Sequence, residues 1–283
     1  MDKPVINKSV IQRSFESGIS GAAAMSINIA TLMWLRTTVN YQYRYGVDMK
    51  TAFKTLYNQG GVPRFYKGVV PALFQGPLSR FGDTAANTGI ITALNANETT
   101  ANLPVWAKSA CASAGAASFR ILLMPIDTLK TTMQVNGSAG IPNLKHKLKL
   151  QGPSVLYHGS LASASATMVG HYPWFATFNL LQAKIPESES SMGKLGRNAI
   201  IGFTSTCVSD TLSNSIRVVK VYKQSSDVSI SYTDTVKQIV KEGGVSGLFG
   251  RGLKTKLVSN GMQGLMFSVL WKYIDENMFN NKS

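Results

Sequence analysis

The feature that most constrains this chain is an internal repeat of about 90 residues. A loop that ends in an aromatic residue and a glycine occurs three times, as QGGVPRFYKG, QGPSVLYHG and KEGGVSGLFGRG. Its aromatic residues, Tyr66, Tyr157 and Phe249, are 91 and 92 residues apart. Such a period indicates a structural unit that is stable only when it packs against its neighbours. We therefore predict one domain over residues 1–283 that contains three repeats, at 12–98, 99–188 and 189–283.

A second set of positions recurs in phase with these loops. The segment PIDTLKTTMQ (125–134) corresponds to TLMWLRTTVN (31–40) and SIRVVKVYKQ (215–224). Each copy has a basic residue at its sixth position and an amide at its tenth. Only the middle copy also contains the proline and the acid, Pro125 and Asp127.

Charge and composition exclude several classes of protein. The net charge is +15, yet only 15% of the residues are charged and 44% are hydrophobic. A nucleic-acid-binding protein clusters its basic residues more densely, so this balance favours contact with anionic lipid or anionic solutes. The chain has no phosphate-binding loop and no GxSxG motif, and its cysteines and histidines lack the spacing of metal ligands. We predict no enzyme, no cofactor, no metal site and no nucleic-acid partner.

Hydrophobic periodicity predicts an all-helical chain. Six long helices are expected at 12–42, 69–93, 104–134, 160–183, 194–223 and 253–278. Shorter helices are expected at 49–58, 142–150 and 232–241. No run of 18 apolar residues exists, but helices around a water-filled cavity are amphipathic and score low on hydropathy. The N-terminus has no apolar core of a secretory signal, so none is expected.

Loop charges predict the orientation of these helices. Residues 42–68 and 135–159 carry an excess of basic residues, whereas 94–104 and 184–194 do not. Basic loops remain on one side of a membrane. The long loops are therefore expected on one side and both termini on the other, which gives six spans.

These motifs resemble those of the mitochondrial carrier family, Px[DE]xx[KR] on each odd helix followed by [DE]Gx4[YWF][KR]G. The resemblance covers essentially the whole chain and is closest in the second repeat. It implies an all-α membrane protein with three tandem repeats, in which six tilted transmembrane helices surround a central cavity beside three short matrix-side helices. It further implies a monomer that spans the mitochondrial inner membrane, or another organellar membrane, several times. A small-molecule solute would be the partner, with anionic phospholipid such as cardiolipin at the linker helices and YKG-type motifs.

The resemblance also implies a gate on the matrix side, with Pro125 as the helix kink. The expected gate residues are Met33, Arg36, Asp127, Lys130, Gln134, Arg217, Lys220 and Gln224. In the family pattern each base meets the acid of the next repeat, so Arg36 is expected to meet Asp127. Lys130 would then face Arg217, and Lys220 would face Met33. Either the glutamines brace this gate by hydrogen bonds, or packing holds it closed.

Substrate-contacting positions follow from the same resemblance. They are Ser26, Gln75, Arg80, Arg120, Ala166, Thr167, His171, Asp210, Ser259 and Asn260. Arg120 and Asp210 either pair with each other or bind the solute. His171 either contributes to the site or belongs to an interfacial aromatic cluster with Tyr172 and Trp174.

The expected function is alternating-access transport of a small anionic metabolite, carrying a carboxylate or a phosphate, across an organellar inner membrane. Two alternatives remain open. One is a transporter of an amino acid or another zwitterion, in which Asp210 accepts the amino group. The other is a membrane adaptor that has kept the fold without transporting, because two of three acids and prolines are missing from the motifs.

Overall fold

The computed structural model describes residues 8–278, and it describes side chains over 23–266 except at 84, 87, 88, 105, 106 and 191. This part of the chain contains twelve α-helices, two short 3-10 turns and no strand. The helices are α1 Lys8–Tyr45, α2 Met49–Asn58, α3 Gly61–Phe65, α4 Val69–Ala96, α5 Glu98–Ala101, α6 Val105–Leu122, α7 Met124–Asn136, α8 Gly140–Gln151, α9 Ser160–Lys184, α10 Ser191–Ser225, α11 Tyr232–Gly250 and α12 Leu253–Met278. The all-α prediction is confirmed, and most predicted helices lie within a few residues of an observed one.

The predicted helix 104–134 is two helices, which is a correction. It breaks at Leu123, and the segments Ala107–Leu122 and Met124–Gln151 meet at 65°. Pro125 lies in the first turn of α7, where its missing N–H is tolerated but the helix cannot continue from α6 without a bend. The first copy has no proline, and α1 continues there with a local distortion at Leu32 (φ −104°, ψ 15°).

The predicted linker helix 232–241 is also longer than expected. Helix α11 continues to Gly250 and changes direction at Gly244, whose φ of +66° is in the left-handed region. Glycine adopts this conformation without the steric cost of a Cβ atom. The chain therefore turns there towards the start of α12.

The long helices form a closed ring of neighbours. α1 packs against α4, α4 against α6, α6 against α9, α9 against α10, α10 against α12, and α12 returns to α1. Close packing between α4 and α6 depends on glycine, since a Cβ atom at Gly82 would lie 1.9 Å from the Phe119 side chain. Within the described residues no single helix has the length and hydropathy of a membrane span, whereas the bent pair across Leu123 passes when taken together.

At one end of the ring, the C-terminal parts of three helices meet. α1, α7 and α10 contact one another there, and each packs against the loop helix that follows it, α2, α8 or α11. The largest buried apolar cluster lies at this end and includes Val39, Val135, Val218 and Ile239. The core of the molecule is therefore concentrated at the end that carries the long loops, and we call this the loop-side end.

Candidate functional site

Asp127 is the centre of a buried ion-pair cluster at the loop-side end. Its Oδ1 accepts a hydrogen bond from Nζ of Lys130 at 2.7 Å, and its Oδ2 lies 2.5 Å from Nζ of Lys220 on α10. Gln224, one turn beyond Lys220, donates from Nε2 to the same Oδ2 at 3.3 Å. Lys130 also donates to Oε1 of Gln75 on α4 at 3.1 Å. This cluster connects α7 to α10 through the carboxylate and reaches α4 through Lys130.

The expected partner of Asp127 was wrong. Arg36 of α1 donates from Nη2 to Oε1 of Gln263 on α12, so its guanidinium meets a neutral amide. Lys220 lies beside Asp127 instead of facing Met33, which packs against Ile29 in a separate apolar cluster. The reason is the helix arrangement: α1 packs closely along α12, and this contact brings Arg36 to Gln263.

The amides at the tenth position of each copy bridge helices. Nδ2 of Asn40 donates to Oε1 of Gln134 at 2.5 Å, which joins α1 to α7. Gln224 donates to Oγ1 of Thr128 at 3.1 Å, which joins α10 to α7. Nε2 of Gln134 lies 3.6 Å from Sδ of Met33. Hydrogen bonds between neutral groups thus supplement the ion pairs at this end.

Sequence reasoning missed the third bridge, between Tyr43 and Asn214. The Tyr43 hydroxyl donates to Oδ1 of Asn214 at 2.9 Å, which joins α1 to α10, and both side chains are buried. Nδ2 of Asn214 donates to the carbonyl oxygens of Phe249 and Arg251 at 2.7 and 3.1 Å. Asn214 is one residue before the proline position of its copy. An asparagine within an apolar helix was the available signal.

Asp210 forms a second cluster, between α10 and α12. It is 5% exposed, and its Oδ1 lies 3.4 Å from Nη2 of Arg217. Its Oδ2 accepts a hydrogen bond from Nδ2 of Asn260 on α12. Lys256, one turn before Asn260, has Asp210, Arg217 and Arg36 as electrostatic neighbours, and sequence reasoning missed it. A lysine one turn from a predicted contact position, on the same helix face, was the signal.

Arg120 belongs to a third cluster, so it does not pair with Asp210. Its Nη2 lies 2.7 Å from Oδ2 of Asp83 on α4. His171 of α9 is an electrostatic neighbour of this pair, and its Nδ1 lies 3.1 Å from Oγ of Ser113. The cluster therefore joins α4, α6 and α9. His171 also contacts the ring of Phe175, which packs against Trp174, and its part in a binding site stays a prediction.

A small pocket connects the Asp127 cluster to Arg120. It is lined by Gln75, Ser79, Arg120, Leu123, Met124, Asp127, Ser163 and Lys220. Four of these residues were predicted from the sequence as contact or gate positions.

The other predicted contact residues lie close to these clusters or outside them. Ala166 and Thr167 are buried on α9, and Thr167 donates to the Ser163 carbonyl. Ser259 is buried on α12 and accepts a hydrogen bond from Gln263. Ser26 is half-buried on α1, and Arg80 is exposed on α4.

Positively charged side chains outnumber carboxylates in and around the three clusters. Six cationic side chains, Arg36, Arg120, Lys130, Arg217, Lys220 and Lys256, accompany three carboxylates, Asp83, Asp127 and Asp210. Arg36 and Lys256 form no ion pair with a carboxylate among the described residues. The site thus has a net excess of three positive charges and can bind an anion by charge-assisted hydrogen bonds.

The side chains of the described residues offer no metal site. No group of three histidine, cysteine, aspartate or glutamate residues in this part of the chain is arranged to hold a metal ion. Cys111 and Cys207 are both free thiols.

A family model described as "Mitochondrial carrier protein" matches the chain over residues 101–189 and 192–282, which together exceed half of its length. No curated protein sequence matches the chain.

Proposed function

Since this chain belongs to the mitochondrial carrier family, whose members are membrane transporters of solutes, we propose that it transports a small anionic solute by alternating access through the helix ring. The solute carries a carboxylate or a phosphate. The proposal places the chain in the mitochondrial inner membrane as a monomer of three repeats, with anionic phospholipid at the loop helices.

The exposed surface of the long helices supports the membrane part of this proposal. Large apolar side chains are exposed along several of them, for example Phe74, Phe81, Leu161, Ile200 and Leu265 at 61–67%. Extensive exposed apolar surface on a protein marks contact with a membrane or with another protein. The closed ring of six long helices and the two matched segments of about 90 residues are in keeping with three repeats and six spans.

Contacts at the loop-side end support a closed gate. α1, α7 and α10 touch there, and Asp127, Asn40 and Tyr43 each bridge two of them. Transport requires these contacts to separate so that the solute can leave on that side. The structure then corresponds to the state that is closed at the loop-side end.

The excess of positive charge carries the anionic part of the proposal. Arg36 and Lys256 come from different helices, α1 and α12, and are electrostatic neighbours, while Asp210 and Arg217 also lie near Lys256. One carboxylate there faces Arg217 as well, so it cannot neutralise all three cations. Burying charge without a partner is costly in a membrane, and a bound anion relieves that cost.

Uptake into liposomes tests this function. Reconstituted protein is supplied with labelled dicarboxylates, inorganic phosphate, zwitterionic amino acids and polyamines. We expect uptake of the anions, and we expect Lys256→Met to reduce it while Lys254→Met, an exposed lysine on the same helix, does not. Uptake of only cationic solutes, or anion uptake unaffected by Lys256→Met, contradicts the anionic assignment. No uptake of any solute by protein that binds none of them in a thermal-shift screen favours the adaptor.

A further inference from the structure

Three buried cations hold the C-terminal ends of α1, α7 and α10. The first is Arg64 of α3, which is 5% exposed. Its Nη1 and Nη2 donate to the carbonyl oxygens of Gln134 and Val135, at 2.9 and 2.7 Å, in the last turn of α7. The last carbonyls of a helix have no partner within it and carry partial negative charge, so a cation stabilises them. Arg64 thus caps a helix of the next repeat.

Lys147 of α8 has the same role at α10. It is 4% exposed, and its Nζ donates to the carbonyl oxygen of Ser226, the C-cap residue directly after α10. Asn136 donates beside it to the Ser225 carbonyl at 3.3 Å. Burial lowers the pKa of Lys147 from its usual value, and nearby Asp227 partly offsets this effect. Its position is therefore maintained against a desolvation cost.

Arg251, between α11 and α12, has this role at α1. It is 6% exposed and donates from Nη1 to the Arg44 carbonyl at 3.3 Å, while its Nη2 meets Oε2 of Glu242 at 3.1 Å. Gly46 follows α1 with φ of +69°, and a Cβ atom there would lie 2.8 Å from Nε of Arg251. Gly137 has the same relation to Arg64, also at 2.8 Å. The two arginines thus approach helix ends that only glycine leaves open.

We propose that these capping cations, Arg64, Lys147 and Arg251, couple the three repeats into one closed mechanical ring at the loop-side end. Each capping residue belongs to one repeat and binds the C-terminal end of a long helix in the next repeat. Arg64 of the first repeat holds α7, Lys147 of the second holds α10, and Arg251 of the third holds α1. Each loop helix also packs against the long helix that precedes it: α2 against α1, α8 against α7, and α11 against α10. Displacing one helix end therefore displaces the cap that holds the following one, and the gate opens at all three joints together.

This coupling goes beyond the proposed function, and its test needs no solute. A cysteine at Thr132 of α7 reports opening, since this side chain is 1% exposed and its hydroxyl has no hydrogen-bond partner among the described residues. A thiol of similar size replaces it at little cost. The variant Thr132→Cys is made with Cys111→Ser and Cys207→Ser, and its reaction with a water-soluble maleimide is timed in liposomes.

The capping cations are then replaced one at a time, as Arg64→Met, Lys147→Met and Arg251→Met. Matched controls are Lys54→Met, Lys145→Met and Lys237→Met, exposed lysines on α2, α8 and α11. Loss of a charged hydrogen bond to helix carbonyls raises the population of the open form, so each capping variant should speed the reaction about tenfold. The control variants should leave the rate unchanged.

The decisive result is the behaviour of the cap at Arg251. Lys147 stands on α8, which packs against α7, so its substitution can also affect Thr132 directly. Arg251 holds α1, so it speeds the reaction at Thr132 of α7 only if the ring is coupled. Acceleration by Arg64→Met, with or without Lys147→Met, but not by Arg251→Met overturns the proposal. Should a methionine variant fail to fold, Gly46→Ala displaces Arg251 sterically and must accelerate the same reaction; an unchanged rate again overturns the coupling.

Discussion

Lys220 of α10 places its ammonium nitrogen 2.5 Å from the Asp127 carboxylate, although it stands 93 residues away in the sequence. The carboxylate is shared with Lys130, three residues along α7. Two cations therefore depend on a single buried acid, and neutralising that acid leaves them facing each other.

Asp127→Asn should be strongly destabilising for this reason. Breaking a buried ion pair by removing one partner costs about 3–5 kcal/mol. The purified protein should unfold at a clearly lower temperature in a thermal-shift measurement. Asp48→Asn is the matched control, because Asp48 is an exposed N-cap of α2 and asparagine caps equally well. Equal effects of the two substitutions would contradict the central position of Asp127.

The same arrangement predicts an unequal effect of two bases. Lys220→Gln removes an ion pair with Asp127, whereas Arg36→Gln removes only a hydrogen bond to the Gln263 amide. Unfolding temperature should fall further in the first variant. The opposite order would restore the pairing of Arg36 with Asp127 that the motif alone suggested.

The bridge between Tyr43 and Asn214 gives a graded prediction. Tyr43→Phe keeps the ring and removes one hydrogen bond, at a cost of about 1 kcal/mol. Asn214→Ala also leaves the Phe249 and Arg251 carbonyl oxygens without their donor, at a cost of about 3 kcal/mol. Tyr57→Phe, on an exposed side chain, is the control. If Asn214→Ala proved no worse than Tyr43→Phe, the two carbonyl contacts would contribute nothing.

Substitution by alanine should affect thermal stability differently at two glycines of α4. A Cβ atom at Gly82 would lie 1.9 Å from Phe119 of α6, so Gly82→Ala forces the helices apart at a cost of about 1–3 kcal/mol. No atom of the described residues lies within 4 Å of such a Cβ at Gly89, and Gly89→Ala should be neutral or stabilise the helix by up to about 1 kcal/mol. Thermal stability in one detergent measures both. A loss at both positions would contradict the observed packing of α4 on α6.

His158 predicts how stability depends on pH. Burial lowers its pKa below 6.5, and the charges of Lys223 and Lys147 lower it further. Between the lowered pKa of the folded state and 6.5, the unfolded chain binds a proton that the folded chain does not. The free energy of unfolding therefore rises with pH between these two pKa values and falls on acidification below 6.5. The loss of stability between pH 7.5 and 5 should be smaller in His158→Gln, and His146→Gln, on an exposed histidine of α8, should behave as the parent. Identical acid profiles of parent and His158→Gln would show that this histidine does not contribute.

Much of the helix arrangement followed from local signals in the sequence. The 3.6-residue periodicity placed most of the helices, because this pattern acts over one or two turns. The break beside Pro125 follows from the missing N–H of one residue. The amides at 40, 134 and 224 were found because the three matching ten-residue segments of the sequence carry them at the same position.

The tertiary structure decided which charges meet. Motif position places Arg36, Lys220 and Asp127 at a similar depth, but the packing of α1 along α12 and of α7 against α10 determines which cation reaches the carboxylate. The same holds for Arg120, which lies beside Asp83, and for Asp210, which lies beside Arg217. The three capping cations stand at unequal spacings in the sequence, because any long basic side chain that reaches a helix end can serve. Repetition cannot reveal such residues, and only the packing of one repeat against the next brings them into contact.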